Sequence, residues 1–265
     1  MADQLHHKNS AGRVDATLPV EFIAVCVVAF IASVAATVYF CRSMCCQMEM
    51  PGDWTMSMMW MRMPGQSWLA SATSFLLMWL SMMVAMMLPS ALPTFLKTRR
   101  APVSLSVMAT GYFAVWLATG TGIYALGVAF AAAAMRWEVF SRAVPVLSGA
   151  SLIAAGAFQF TSWKTTGLLR CRSPFGCASV CPERETNFRL GCKQGMACCL
   201  CCAAPTMILV VLGMMNPFVI IGVAIIISAE KVLPRPAIVV RLVGIVAIIA
   251  GVMATLHTGH SSDLA

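Results

Sequence analysis

Charge is what this sequence has least of. Asp, Glu, Lys and Arg together make up 11% of its 265 residues, against about 25% in an ordinary globular domain. Acidic residues number only 10, and nearly all fall outside the apolar runs, which leaves little material for a buried carboxylate proton relay. No hydrolase triad, phosphate-cradling glycine loop or dinucleotide fingerprint can be drawn, and no ATPase or redox domain is present. The expectation is a protein that is not an enzyme. A net charge of +8 would suggest nucleic acid in a soluble chain, but the basic residues sit in short loops without an aromatic-basic surface. Nucleic acid is therefore not an expected partner.

What the sequence has in quantity is apolar length. Hydrophobic residues make up 60% of the chain, and several runs approach the roughly 20 residues that cross a bilayer as a helix. The predicted fold is an all-α, polytopic transmembrane helical bundle forming a single domain in a lipid bilayer. Seven spans are drawn, at about 19–40, 67–91, 105–132, 143–163, 196–214, 217–230 and 237–256. Pro89 and Pro93 are read as ending the second, and Pro234 and Pro236 as separating the last two. The sixth is short, so six spans is the alternative count. The first 18 residues mix Asp3, Lys8, Arg13 and Asp15, and the apolar run behind them is long enough to stay in the membrane, so no removable signal peptide is expected.

Loop charges predict the orientation. With the N-terminus cytoplasmic, 13 basic loop residues lie inside and only Arg42, Arg62, Arg136 and Arg142 outside, as the positive-inside rule requires. Residues 41–66 are then an extracytoplasmic, Met-rich loop, and residues 164–195 a cytoplasmic loop rich in cysteine and basic residues. Thiols stay reduced on the inner side, whereas thioethers form no disulfides on the outer one.

Sulfur is concentrated unevenly. The stretch from Cys41 to Pro89 holds 13 of the 21 methionines and three of the 12 cysteines. Its loop half repeats methionine at Met44, Met48, Met50, Met56, Met58, Met59, Met61 and Met63. Its helical half carries Met78, Met82 and Met86 at i, i+4 and i+8, with Met83 and Met87 one position round, which places them along one face. Thioether sulfur is a soft ligand suited to Cu(I). On the helix alone the stripe reads first as packing, since methionine fills gaps in apolar interiors. In the loop, where a water-facing methionine has no obvious packing partner, soft-metal binding is favoured.

Cysteine is clustered too. Cys198, Cys199, Cys201 and Cys202 form two interleaved C-x-x-C pairs at the predicted inner mouth of the fifth span. Four thiolates within two turns could hold Cu(I), Zn(II) or an iron–sulfur cluster; the plainer reading is small buried hydrophobes. The inner loop adds Cys171, Cys177, Cys181 and Cys192, whose spacing matches no standard zinc pattern. His6, His7, His257 and His260 are read as solvated. Lys164 is expected to snorkel to the interface, and Glu230-Lys231 reads first as an interfacial ion pair, with a proton-linked role second.

The run MPGDWTMSMMWMRMPGQSW followed by FLLMWLSMMVAMMLPSALP resembles the hallmark of an uncharacterised bacterial family of predicted metal-binding integral membrane proteins. The segment from Gly156 to Pro174, with Phe158, Gln159, Lys164, Cys171, Arg172 and Pro174, is similar to that family's second motif, as are Gly191–Met207 and Glu230-Lys231. The chain departs from the pattern at Phe158, Gly167, Leu200 and Ala203, where tyrosine, cysteine, glycine and tryptophan would stand. The resemblance implies a metal, copper first, and a bacterial inner membrane.

The sequence therefore predicts a membrane protein that binds, and moves or delivers, a soft metal, with Cu(I) ahead of Zn or an iron–sulfur cluster. Capture is expected at Met56, Met58, Met59, Met61 and Met63. Transfer follows along Met78, Met82, Met83, Met86 and Met87, with delivery to Cys198–Cys202, Cys171 lending a second docking point. The alternative is a non-catalytic subunit or assembly factor of a larger membrane copper enzyme, motivated partly by the small-residue stretches Ala131–Ala134 and Gly149–Gly156. A metallochaperone or a membrane complex would be the partner. A thiol oxidoreductase is disfavoured, because a helical i, i+3 cysteine pair on the reducing side favours ligation over disulfide cycling.

Overall fold

A computed structural model describes residues 20–43, 47–52, 54–62, 65–96, 102–172 and 186–262. Six helices are long and apolar enough to cross a membrane: α1 (Val20–Ser43), α2 (Trp68–Leu96), α3 (Pro102–Arg136), α4 (Glu138–Phe158), α6 (Asn187–Leu212) and α8 (Pro236–Ser262). Between them stand the 11-residue α5 (Ser162–Arg172) and the 16-residue α7 (Pro217–Val232). α7 spans about 24 Å at 1.5 Å per residue, below the usual transmembrane length. It matches the short sixth segment drawn from the sequence and packs against both α6 and α8.

Pro89 and Pro93 do not end α2, which continues to Leu96. Proline inside a membrane helix is tolerated where neighbouring helices re-satisfy the freed backbone, and α4 and α6 carry Pro145 and Pro205 in the same way. The fifth predicted span also begins too late. α6 starts at Asn187, so Cys198 lies 11 residues, or about 16 Å, inside the helix rather than at its mouth.

The Met-rich segment is not an open loop. Strands β1 (Gln47–Met50) and β2 (Trp54–Ser57) pair antiparallel with Met48 opposite Met56 and Met50 opposite Trp54. A 3-10 turn, Met58–Trp60, follows. Alternate residues share a face, so Met48, Met50, Trp54 and Met56 turn to one side and Gln47, Glu49 and Thr55 to the other. Gly52 turns the hairpin at φ 102°, a conformation that favours glycine. The hairpin then docks on the bundle: Trp54 Nε1 donates to the Ser141 carbonyl at 3.0 Å, and Ser141 Oγ donates to the Pro51 carbonyl at 2.9 Å. Trp60 rests on Gly127, where any Cβ would overlap its ring.

Two close helix pairs organise the bundle. α4 and α8 run antiparallel with Gly149 against Gly251 and Gly156 against Gly244. The small-residue stretch 149–156 is thus used inside the chain, and Ala131 and Ala134 are buried as well. α3 and α6 run parallel: a Cβ at Gly111 would overlap the Phe188 carbonyl, and one at Gly191 the Met108 carbonyl. α2 and α6 are the most enclosed helices, about half buried in their apolar stretches, while those of α1, α3 and α8 are less than a quarter buried.

Candidate metal centre

The centre is assembled from five helices. On α6, Gly191, Gln194, Gly195, Cys198, Cys201, Cys202 and Pro205 are all buried, a spacing that marks one continuous face. Cys198, Cys201 and Cys202 are each 1% exposed or less. Cys199 leaves this group and approaches Thr119 Oγ1 of α3 at 3.6 Å. The four cysteines are therefore not two equivalent C-x-x-C pairs; three face inward and one stands apart.

α5 supplies the missing member. It buries Lys164, Gly167, Leu168 and Cys171, at i, i+3, i+4 and i+7, and lays that face on α6. The sulfurs of Cys171, Cys198 and Cys201 all lie within 4.8 Å of one another, and all three residues are buried. Cys202 Sγ is 3.8 Å from Cys198 Sγ and 3.6 Å from Cys201 Sγ. With metal–sulfur bonds of about 2.3 Å, sulfurs around one ion stand about 4.0 Å apart in a trigonal plane and about 3.8 Å apart in a tetrahedron. The observed spacings fit a single ion. A side-chain hydrogen bond with Cys198 is the leading reason that the Cys171 thiol is pushed up to about 12, so this sulfur must surrender a proton to bind metal.

The methionines of α2 meet this cluster end-on. Met78, Met82, Met83, Met86 and Met87 are each 2% exposed or less, and Met87 Sδ lies 4.0 Å from Cys198 Sγ. Of the hairpin residues, Met56 is buried in β2, Met59 packs against the main core, and Met58 and Met61 are half-buried. The expectation that they pack against nothing is corrected by the hairpin docking. Met63 lies outside the described residues, as do Cys177, Cys181, the N-terminal histidines and the side chains of His257 and His260.

Polar groups that the sequence assigned to the interface are found inside. Lys164 is fully buried and its Nζ pairs with Glu230 Oε2 at 2.6 Å. The same ammonium donates to the Cys201 carbonyl, and Gln159 Nε2 donates to Glu230 Oε1 at 3.2 Å. Glu230 is thus paired across helices with Lys164, not with its neighbour. Lys231 turns to the cluster, donating to Cys198 Sγ at 3.0 Å and Ser90 Oγ at 3.2 Å. From α3, the Tyr112 hydroxyl donates to Cys198 Sγ at 2.9 Å, and Gln194 Nε2 holds the Cys171 carbonyl at 2.9 Å. Sequence reasoning missed Tyr112, whose only signal was its place next to Gly111, one of the glycines that let α3 and α6 close.

A helical membrane bundle with a buried thiol cluster that can hold a soft metal is the class these features define. Residues 76–254 match the PpoB2 family model, described as a copper chaperone, and the chain belongs to that family. No curated protein and no solved structure matches it. The matched region holds the α2 methionines, Cys171, the α6 cysteines and Lys231, and begins after the hairpin.

Proposed function

We propose that this protein receives Cu(I) at the hairpin end of the bundle, passes it along the α2 thioethers, and holds it at the cluster of Cys171, Cys198, Cys201 and Cys202 for delivery. The carrying observation is the 4.0 Å approach of Met87 Sδ to Cys198 Sγ, which joins the thioether column to the thiol cluster without a gap. Soft sulfur donors of both kinds suit Cu(I), and family membership supports copper over zinc. Sulfurs spaced for one ion favour a mononuclear site over an iron–sulfur cluster.

The basic loop residues support an orientation with the hairpin outside and the cluster towards the cytoplasm of a bacterial inner membrane. Movement along this route is passive or drawn by a partner, a metallochaperone or a membrane enzyme awaiting copper. A subunit role in such an enzyme is the alternative, but its motivating small-residue stripe is taken up by the α4–α8 contact. Metal analysis of detergent-purified protein after anaerobic Cu(I) loading is the test. At least one tightly held Cu(I) per chain, lost in a Cys171→Ser/Cys198→Ser/Cys201→Ser variant, is expected; copper at background in the wild type would end this reading.

A further inference from the structure

Lys231 contacts three groups: Cys198 Sγ at 3.0 Å, Met87 Sδ at 3.7 Å and Ser90 Oγ at 3.2 Å. Its neighbour Glu230 is committed to Lys164 and Gln159, so sulfur takes the place of a carboxylate beside this ammonium. That is a poor match for a strongly hydrated cation, because thioether sulfur is a weak acceptor. It is a good match for a soft monovalent metal, which prefers thiolate and thioether donors. Met87 and Cys198 come from different helices, α2 and α6, and the ammonium sits beside both sulfurs at once.

We propose that Met87 and Cys198 form a handover seat for Cu(I) at the edge of the cysteine cluster, with Cys198 shared between the two, and that the Lys231 ammonium is its placeholder cation. The inference rests on the copper reading above. In the exchange the copper remains Cu(I) and no electron moves; its bond to Met87 sulfur breaks as a bond to Cys198 sulfur forms, and the Cys198 thiol proton is released to solvent. Withdrawal of the ammonium as the metal arrives keeps two cations from sharing the buried seat. Lys231 stands in the last turn of α7, which ends at Val232, and its four-carbon stem can carry the ammonium outward. Ser90 Oγ, already in contact, marks the first step of that path.

The test traps the ion at the seat. Full-length protein carrying Cys171→Ser, Cys201→Ser and Cys202→Ser, in lipid nanodiscs, is titrated anaerobically with Cu(I) against a chromogenic Cu(I) chelator. One Cu(I) is expected, with sulfur ligation by X-ray absorption. Adding Met87→Leu should weaken it at least tenfold, and adding Lys231→Ala should tighten it at least tenfold by removing the competing cation. Unchanged affinity with Met87→Leu, or equal or weaker affinity with Lys231→Ala, overturns the seat. If the serine variant does not fold, otherwise wild-type protein decides. Acylation of Lys231 by a water-soluble amine reagent, mapped by mass spectrometry, should rise at least fivefold on Cu(I) loading, and unchanged labelling overturns the placeholder. Wild-type protein that binds no Cu(I) removes the functional reading itself, whereas wild-type binding with these negative results removes only the seat.

Discussion

The methionine column and the cysteine cluster touch at one point yet are built on opposite terms. The column is five thioethers on α2, enclosed by Phe75, Trp79 and other apolar side chains, carrying no charge and no proton. The cluster is ringed by a lysine, a tyrosine and a glutamine that bond to its sulfurs or backbone, with the Lys164–Glu230 pair packed beneath it. A thioether can serve as core packing and as a ligand without altering the charge of the interior. A thiol becomes a strong ligand only by losing its proton, so charge and hydrogen bonds must be provided around it.

The largest effect should come from the charged side of this contrast. Glu230→Ala leaves Lys164 buried without its partner and should destabilise the fold by about 3–5 kcal/mol, read as a loss of thermal stability in detergent. The pair Lys164→Met with Glu230→Leu should recover most of that loss, because an apolar replacement strands no charge. A double variant as unstable as the single would show that the pair contributes more than mutual neutralisation.

Next in size is Gly191→Ala. Its Cβ would overlap the Met108 carbonyl, forcing α3 away from α6 and carrying Tyr112 off Cys198. A cost of about 1–3 kcal/mol from overpacking is expected, with weakened Cu(I) binding in chelator competition. Wild-type copper affinity in this variant would mean that the α3 side of the site is dispensable.

The column should answer differently. Met82, Met83, Met86 and Met87 changed together to Leu conserve volume, at less than about 1.5 kcal/mol per site, so expression should stay near wild type. Copper-dependent function should be lost, because leucine offers no lone pair. Retention of full copper content and activity would return the stripe to packing alone. The smallest effect belongs to Gly167. A Cβ there would sit 3.6 Å from Cys201 Cβ, ordinary contact, so Gly167→Cys should fold normally and add a sulfur donor beside the cluster. Slower removal of Cu(I) by a chelator is the measurement, and an unchanged rate would place the new thiol out of reach.

The same contrast explains what could be read from sequence. The apolar spans and the i, i+4, i+8 methionines follow from composition and helical period, which need no partner to be visible. Cys171 was named from the sequence, but its place inside the cluster was hidden because α5 reads as a basic loop. Its buried face of Lys164, Gly167, Leu168 and Cys171 has the helical spacing, but lysine scores as polar on any hydropathy scale. Lys164 and Glu230 went to the interface for the same reason: a charge defaults to water until its partner, 66 residues away, is known. The hairpin was signalled by alternation around Pro51-Gly52, masked by the reading of methionine as loop filler. It also lies outside the region that matches the family model, so its methionines rest on their own geometry.

The cluster draws its parts from elements made at different times, α2 first and α7 last. Helices enter the membrane one after another and associate afterwards. Tyr112 is therefore in the bilayer long before Cys198, which is 86 positions later, and Lys231 follows later still. Until α7 has arrived, Cys198 has Tyr112 and Met87 beside it but not the Lys231 ammonium. A ribosome stalled before α7 would leave a membrane-bound cysteine cluster without its lysine.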